Sequence, residues 1–559
     1  MHLTAFHNAI NGLSEYHYKL IDSQCIMVHI LVPKKLVLQV WLENIIFAIK
    51  TCEMKRKTWI KHHKIFGLVL CFFLLMFCVS GIVLNHPKLF SSLDVSRKAL
   101  LRNYEYHQWN GGLLRGTVAW HQKVLLYGYN GVWKTDSSGH KISDFNRGMP
   151  IGVDRRSIRR IVVMPQGTLF AAGSYDLFRY RPHQGWTVIP LPIDIDERLS
   201  DIANQRDTLL ITGRSHIFYS LPPYRTFHRL TLPASPDNDG HVSLFRTVWW
   251  LHSGELFGLT GKLIVDGIAL VLIFLSLTGI MYWIVPRMTR HRYAALMKWL
   301  FVWHNKVGRL TIVLTLFLCF TGWLLRPPAM LAIITGRVPT VPFSVMDSPN
   351  AWYDKLRSLR FDTQSGDWLL YSSDGFYRMA TLTATPRKLT GTPPVSVMGL
   401  NVQQQQADGT WLIGSFSGLY RWNRNTGQVN DWFGEDSSIS QYGPPISNHP
   451  VSGFSNELCD GACVVDYRQG TPILPMPPTM KTLPMSLRNV CLEIHTGRIY
   501  TFFGRAGILY IFLIGLAIAW CLWTGWKLRR PLNSINSQFF SRRVMHIRNF
   551  ISKFARNKF

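Results

Sequence analysis

The sequence predicts a membrane α-helical bundle of four transmembrane helices in two duplicated halves, carrying external all-β, propeller-like domains. Three observations lead there. Four apolar runs are uninterrupted, a set of histidines and small residues repeats in register between the halves, and a short strand phrase recurs through the long segments between helices. With 47% hydrophobic and 17% charged residues, the chain is too apolar for an ordinary soluble protein and too mixed for a bundle alone.

The apolar runs are Phe66–Leu84, Leu263–Val285, Leu310–Leu325 and Ile508–Trp523, each near the ~20 residues a spanning helix needs. They define TM1 to TM4. The formal charge of +29 sits beside their ends: Lys55, Arg56, Lys57, Lys61 and Lys64 at the start of TM1, Arg287, Arg290 and Arg292 after TM2, and Lys527, Arg529, Arg530, Arg542, Arg543, Arg548 and Lys553 around and beyond the end of TM4. That pattern points to membrane lipid as the partner, not nucleic acid. By the positive-inside rule both termini are cytoplasmic and both long segments external, hence periplasmic in a bacterial inner membrane.

The expected organisation is TM1 at 54–90, a first β domain at 91–245, TM2 at 246–286, a cytoplasmic loop at 287–300, TM3 at 301–327, a second β domain at 328–488, TM4 at 489–527 and a basic tail at 528–559. Residues 1–53 read as an upstream extension or disordered N-terminus, because Met54 followed by Lys55, Arg56 and Lys57 resembles the start of an anchored protein. Cys71, Cys78, Cys319 and Cys521 fall inside helices as small hydrophobes. Cys459, Cys463 and Cys491 are external, and Cys459-x3-Cys463 suits a loop disulfide as well as free thiols.

The duplication is read from spacing. His63, Gly67, Ser80 and Gly81 of TM1 match His304, Gly308, Thr321 and Gly322 of TM3 at identical intervals. Before TM2, LHSGELFGLTG from Leu251 resembles IHTGRIYTFFGRAG from Ile494 before TM4, and each leads to a Thr-Gly pair, Thr278-Gly279 and Thr524-Gly525. Two copies of helix, external domain, helix follow, related by a pseudo-twofold axis along the membrane normal. His63 and His304 then open the outbound helices at the inner face. His252 and His495 precede the returning helices at the outer face.

The external segments lack helical periodicity. They repeat a phrase of strand, turn and aromatic strand: KVLLYGYNGVWK, GTLFAAGSYDLFRY, DTLLITGRSHIFYS, DWLLYSSDGFYRM and GTWLIGSFSGLYRW. Roughly forty-residue spacing is that of propeller blades, and the two halves are expected to complete one closed propeller.

Histidines at helix ends are commonly interfacial caps. Four in register, in helices with little else polar, point instead to a cofactor, since ionisable groups at membrane depth are costly. Two axial imidazoles on a haem iron leave no open position and suit electron transfer; zinc favours tighter clusters with carboxylate or thiolate partners. The expected ligands are His63 and His304 for one haem b and His252 and His495 for a second. His86 at the outer end of TM1, which Pro327 replaces in TM3, remains an alternative outer ligand, and His62 an alternative to His63. Gly67 and Gly308 read as room for a porphyrin or as packing, Gly81 and Gly322 as helix packing. Arg309, Lys262 and Arg505 read as propionate partners or snorkelling cations, and Asp266 has no counterpart in TM4.

At His63-x3-Gly67 with Ser80-Gly81, at His304-x3-Gly308 with Thr321-Gly322, and at the two segments running from His252-Ser253-Gly254 and His495-Thr496-Gly497 to a Thr-Gly pair, the chain resembles the PepSY-associated transmembrane helix family. That family includes bacterial inner-membrane ferric-siderophore reductases and iron-uptake proteins. The resemblance implies a haem-carrying bundle that passes electrons across the membrane to a siderophore or other iron chelate in the periplasm. No PepSY domain is recognisable in the external segments, and no GxGxxG follows a strand. Electrons would come from a separate cytoplasmic reductase or from quinol. The rival expectation is a non-enzymatic, membrane-anchored propeller that binds or senses a ligand.

Overall fold

A computed structural model of the chain describes residues 34–194, 197–289, 293–434, 447–458 and 461–528. Two compact units divide the chain. One is Met1–Lys64 with Arg530–Phe559, whose described part is helix from Lys34; the other is Ile65–Arg529.

Six α-helices are described: α1 Lys34–Asn85, α2 Leu244–Ser253, α3 Gly258–Thr289, α4 Ala294–Leu324, α5 Leu487–His495 and α6 Gly507–Lys527. Among the described residues four stretches are long and apolar enough to span a bilayer: Arg56–Asn85, Glu255–Met288, Ala294–Leu324 and Leu509–Lys527. Helix α1 stops at Asn85 because Pro87, two residues on, cannot continue it and biases His86 away from helix. It begins at Lys34 and passes Met54 unbroken, so residues 34–53 are helical; residues 1–33 and the basic tail from Arg529 lie outside the described residues. Within the larger unit, Cys78, Ile268, Ala269 and Leu272 form one bundle core, and Leu70, Ile518 and Cys521 another. At the helix ends, Arg287 lies over the Trp283 ring at 4.4 Å and Lys527 over Trp523 at 5.1 Å, stems along apolar surface and heads free to reach water.

The β region is built from four-stranded antiparallel meanders. The first comprises Gly116–Trp120, Lys123–Gly128, Gly131–Thr135 and Ser143–Asp144, and the second runs from Ile158–Val163 to Gly185–Ile189. The third runs from Leu199–Gln205 to His228–Leu230, the fourth from Leu356–Asp362 to Arg387–Lys388, and the fifth from Leu400–Gln405 to Val429–Asp431. Each of the five sequence phrases forms the second and third strands of one sheet. A last pair, Val451–Ser455 and Cys463–Asp466, joins the first sheet, with Val451–Ser455 parallel to Gly116–Trp120 at Phe454 opposite Gly116. Both β segments therefore share a six-stranded sheet.

Packing between sheets is apolar and sequential. Leu125 and Val132 of the first sheet meet Ile158 and Leu169 of the second; Ala203 and Ile217 of the third meet Leu359 and Leu370 of the fourth; and Val124 and Trp133 of the first meet Cys463 and Val465 of the last pair. The first strand of each later sheet carries an irregularity at one place, between Ile158 and Arg160, Leu199 and Asp201, Leu356 and Ser358, Leu400 and Val402, and Val451 and Gly453. Such a bulge re-aims the extra side chain. Ser200 Oγ donates to Leu356 O (3.1 Å) and Asn401 Nδ2 to Val451 O (2.8 Å), each reaching the first strand of the next sheet.

Of the cysteines outside the apolar runs and expected to be external, Cys463 is buried with its Sγ 3.3 Å from Thr471 Oγ1, Cys491 is a buried free thiol on α5, and Cys459 lies outside the described residues.

Candidate functional site

Two short helices carry His252 and His495. Ser243 caps α2 by accepting from the Arg246 N–H, and Ser486 caps α5 by accepting from the Asn489 N–H. Each helix ends at its histidine: His252 one residue before the α2 terminus, His495 at the α5 terminus. Gly254, left-handed at φ 77°, turns the chain after α2; a Cβ there would lie 2.2 Å from Gly261 O, so only glycine serves.

This brings His252 and His495 together, their ring centroids 6.1 Å apart and their planes at 52°. Each ring is held by the opposite half of the chain in the same way. His495 Nδ1 lies 3.0 Å from Phe77 O and 3.0 Å from Ser80 Oγ. His252 Nδ1 lies 3.2 Å from Leu318 O and 3.2 Å from Thr321 Oγ1. A carbonyl only accepts, and both hydroxyls already donate to their own helix, Ser80 to Met76 O and Thr321 to Phe317 O. The proton of each imidazole is thus assigned to Nδ1, leaving the Nε2 lone pair bare; among the described residues neither Nε2 has a hydrogen-bond partner. Burial first and Arg326 second hold His252 down to about 4, while burial, His252 and Arg326 take His495 to about 3. Both are neutral near pH 7, as metal ligation requires.

The glycines expected to be simple packing residues turn out to seat these rings. A Cβ on Gly322 would stand 2.7 Å from His252 Cε1, and one on Gly81 3.3 Å from His495 Cε1. By contrast a Cβ on Gly67 or Gly308 would make only ordinary contacts, 3.7 Å from Cys521 Sγ and 3.7 Å from Leu275 respectively.

His304 repeats the arrangement within α4 and α3. Its Nδ1 is 2.9 Å from Thr278 Oγ1, whose proton goes to Phe274 O, and its Cε1 would be 3.8 Å from a Cβ on Gly279. Thr524-Gly525 on α6 is the repeat counterpart of Thr278-Gly279. His63 lies on α1 in the smaller unit, beside His62, whose ring meets Trp59 edge-on at 6.4 Å. Along α4, His304 and Thr321 are separated by seventeen residues, about 26 Å of helix, so the two levels are far apart.

His86 is engaged elsewhere: its Nε2 is 2.6 Å from Asp266 Oδ2, and Asn85 Nδ2 donates to Asp266 Oδ1 at 3.1 Å. The unassigned Asp266 is thus the clasp between the end of α1 and α3. The suggested propionate partners are also occupied, Lys262 facing Glu255 at 3.8 Å and Arg309 donating to Asn305 Oδ1 at 2.9 Å, while the Arg505 side chain lies outside the described set. The cation at the outer pair is Arg326, unnoticed in the sequence. It donates to His495 O at 3.3 Å, has no carboxylate partner among the described residues, and is pushed down to about 10 by burial and then by Arg498.

Residues 36–285 match the family model of the PepSY-associated TM region. No curated protein matches the chain. Solved structures similar to it include a Bacteroides thetaiotaomicron protein of unknown function, at 10% identity over 66% of this chain and 72% of that one with TM-score 0.33. The extracellular domain of a putative hybrid two-component system from the same organism matches at 10% over 67% of this chain and 36% of its own, TM-score 0.30. PorZ, a surface component of the type-IX secretion system of Porphyromonas gingivalis, matches at 10% over 62% and 37%, TM-score 0.27. These scores are too low to assign a shared fold.

Proposed function

We propose that the helices of this chain, whose residues 36–285 match the model of the PepSY-associated TM region, hold two b-type haems and pass electrons across a bacterial inner membrane to a periplasmic iron chelate. The observation that carries this is the His252–His495 pair. Its ring centroids stand 6.1 Å apart, and neither Nε2 has a hydrogen-bond partner among the described residues, so His252 and His495 would hold a haem iron between them, and such a haem would supply one-electron chemistry.

The residues around it have defined work. Phe77 O, Ser80, Leu318 and Thr321 hold the two Nδ1 protons, fix ring orientation and raise ligand basicity. Gly81 and Gly322 let the rings approach the helices. Arg326, a buried cation with no carboxylate partner among the described residues, suits a propionate. On the same logic His304, seated by Thr278, is one ligand of the inner haem. The electron donor is a separate cytoplasmic reductase or quinol, and the acceptor a ferric siderophore or similar chelate outside. We read the five meanders and the Val451–Ser455/Cys463–Asp466 pair as six blades of one propeller, periplasmic with both termini cytoplasmic; the recurrent first-strand bulge and the sequential packing support this.

The test is an ultraviolet-visible spectrum of detergent-purified protein, oxidised and dithionite-reduced, with haem counted per chain. Wild type is expected to show six-coordinate b-type bands and two haems, and His252→Ala with His495→Ala to leave one. A colourless wild type made with ample haem would return the protein to the binding and sensing class.

A further inference from the structure

Arginines crowd one end of the first three sheets. Arg159, Arg198 and Arg214, together with Arg488 from the first turn of α5, line a cavity of ≈ 120 Å³ that contains one carboxylate, Asp154. Arg214 is the only one of the four with an ion pair among the described residues, to Asp354 at 3.2 Å. Arg159 and Arg198 make no side-chain hydrogen bond or ion pair among those residues, and the buried Arg488 Nε likewise lacks a hydrogen-bond partner there. Arg159, the extra residue of its strand's bulge, is exposed and lines this cavity.

Elsewhere in the same region two enclosed guanidinium groups are neutralised by carboxylates: Arg424 pairs with Asp362 at 2.9 Å and Asp367 at 2.5 Å, and Arg360 pairs with Asp201. The cavity sets four guanidinium groups against the one carboxylate that lines it. Burial, then repulsion from Arg115, brings Arg159 down to about 9, with Arg214 and Arg488 adding to it. Against burial, which raises it, Arg115, Arg159 and Arg488 bring the Tyr129 phenol below its usual value. Cations held this close repel unless a counter-charge enters.

We propose that this cavity is a binding site for a small, multiply charged oxyanion of the phosphate or dicarboxylate class. Its volume is that of about four waters of liquid, too little for a large chelate and enough for such a group. Guanidinium forks from several directions match planar and tetrahedral oxyanions. The site goes beyond the electron-transfer reading and stands without it. It is nevertheless tied to the histidines, because Arg488 and His495 share α5, seven residues or about 10 Å apart.

The experiment is calorimetric titration of the full-length, detergent-purified protein with inorganic phosphate and, separately, malonate. At least one is expected to bind, more weakly as salt rises, and to raise the melting temperature of wild type; the tighter of the two identifies the source. Arg159→Gln and Arg198→Gln are each expected to weaken binding about tenfold or more and to abolish the thermal shift. Because Arg159 has no hydrogen bond or ion pair to lose among the described residues and sheds repulsion from Arg115, Arg214 and Arg488, whereas Arg198 gives up its attraction to Asp154, Arg159→Gln is the variant expected to melt no lower than wild type without anion. Failure of wild type to bind either anion at millimolar concentration, or undiminished binding in both variants, overturns the site. Neither readout needs haem, so a colourless protein that binds phosphate would sink the electron carrier and leave this site standing.

Discussion

Beside His252, Gly322 has no room for a methyl group, because its Cβ would stand 2.7 Å from Cε1 and 3.2 Å from Nδ1 of a ring held on two hydrogen bonds. Gly322→Ala is therefore expected to cost about 1–3 kcal/mol of stability through overpacking and to lower haem content, read by thermal unfolding and by absorbance. Gly308→Ala, whose Cβ meets only Leu275 at 3.7 Å, is expected to leave both unchanged. Equal effects of the two would mean that seating His252 is not the role of Gly322. The histidines and the Ser-Gly and Thr-Gly pairs were legible in the sequence because they recur at matching spacings. What the pairs do was not, since Ser80 meets His495 across 415 residues and helical spacing reveals neighbours only along one helix. Arg326 was invisible for another reason: its repeat counterpart in TM1 is Asn85, so no register singles it out.

Helices α2 and α5 are brackets, capped in the β region at one end and bearing a ligand candidate at the other. The footing of α2 is Asp354, which takes Arg246 at 2.6 Å and Arg214 at 3.2 Å. Burial raises its carboxyl, but Arg214, Arg246 and Arg357 outweigh that and hold it below the usual carboxylate range. A depressed carboxylate stabilises the fold above its unfolded value, about 3.9, and that contribution is lost as pH falls through the folded value. Asp354→Asn is expected to cost about 1.5–3 kcal/mol at pH 7 and to flatten the acid limb of melting temperature against pH. Asn is a fair probe because Asp354 sits at φ 51°, a left-handed conformation that Asn tolerates. An acid limb unchanged by the substitution would remove Asp354 as its source.

Across the whole molecule, the two β segments cannot be separated. The first sheet takes four strands from one segment and two from the other, Thr117 Oγ1 bonds Ser455 Oγ at 2.6 Å across the seam, and Asp94–Val95 pairs with Met485–Ser486. Pieces cut between α3 and α4 are expected to co-purify only when co-expressed, neither alone giving a monodisperse particle on size exclusion. A first piece that folds and stays soluble in detergent by itself would contradict this. The five meanders were legible because each is a local hairpin with its own turn. The seam was not, because a parallel contact at Gly116 and Phe454 has no turn and no local signal.

That seam also sets a clock. Gly116 and Val451 are 335 positions apart, and at about 5–20 residues per second of synthesis the first strand waits about 20–70 s for its neighbour. Throughout that interval its outer edge offers unpaired backbone groups to any other nascent chain. Yield in a cell is therefore governed by whatever shields this edge during translation, and slowing the ribosome within the second half is expected to lower the harvest of folded protein without altering its final stability.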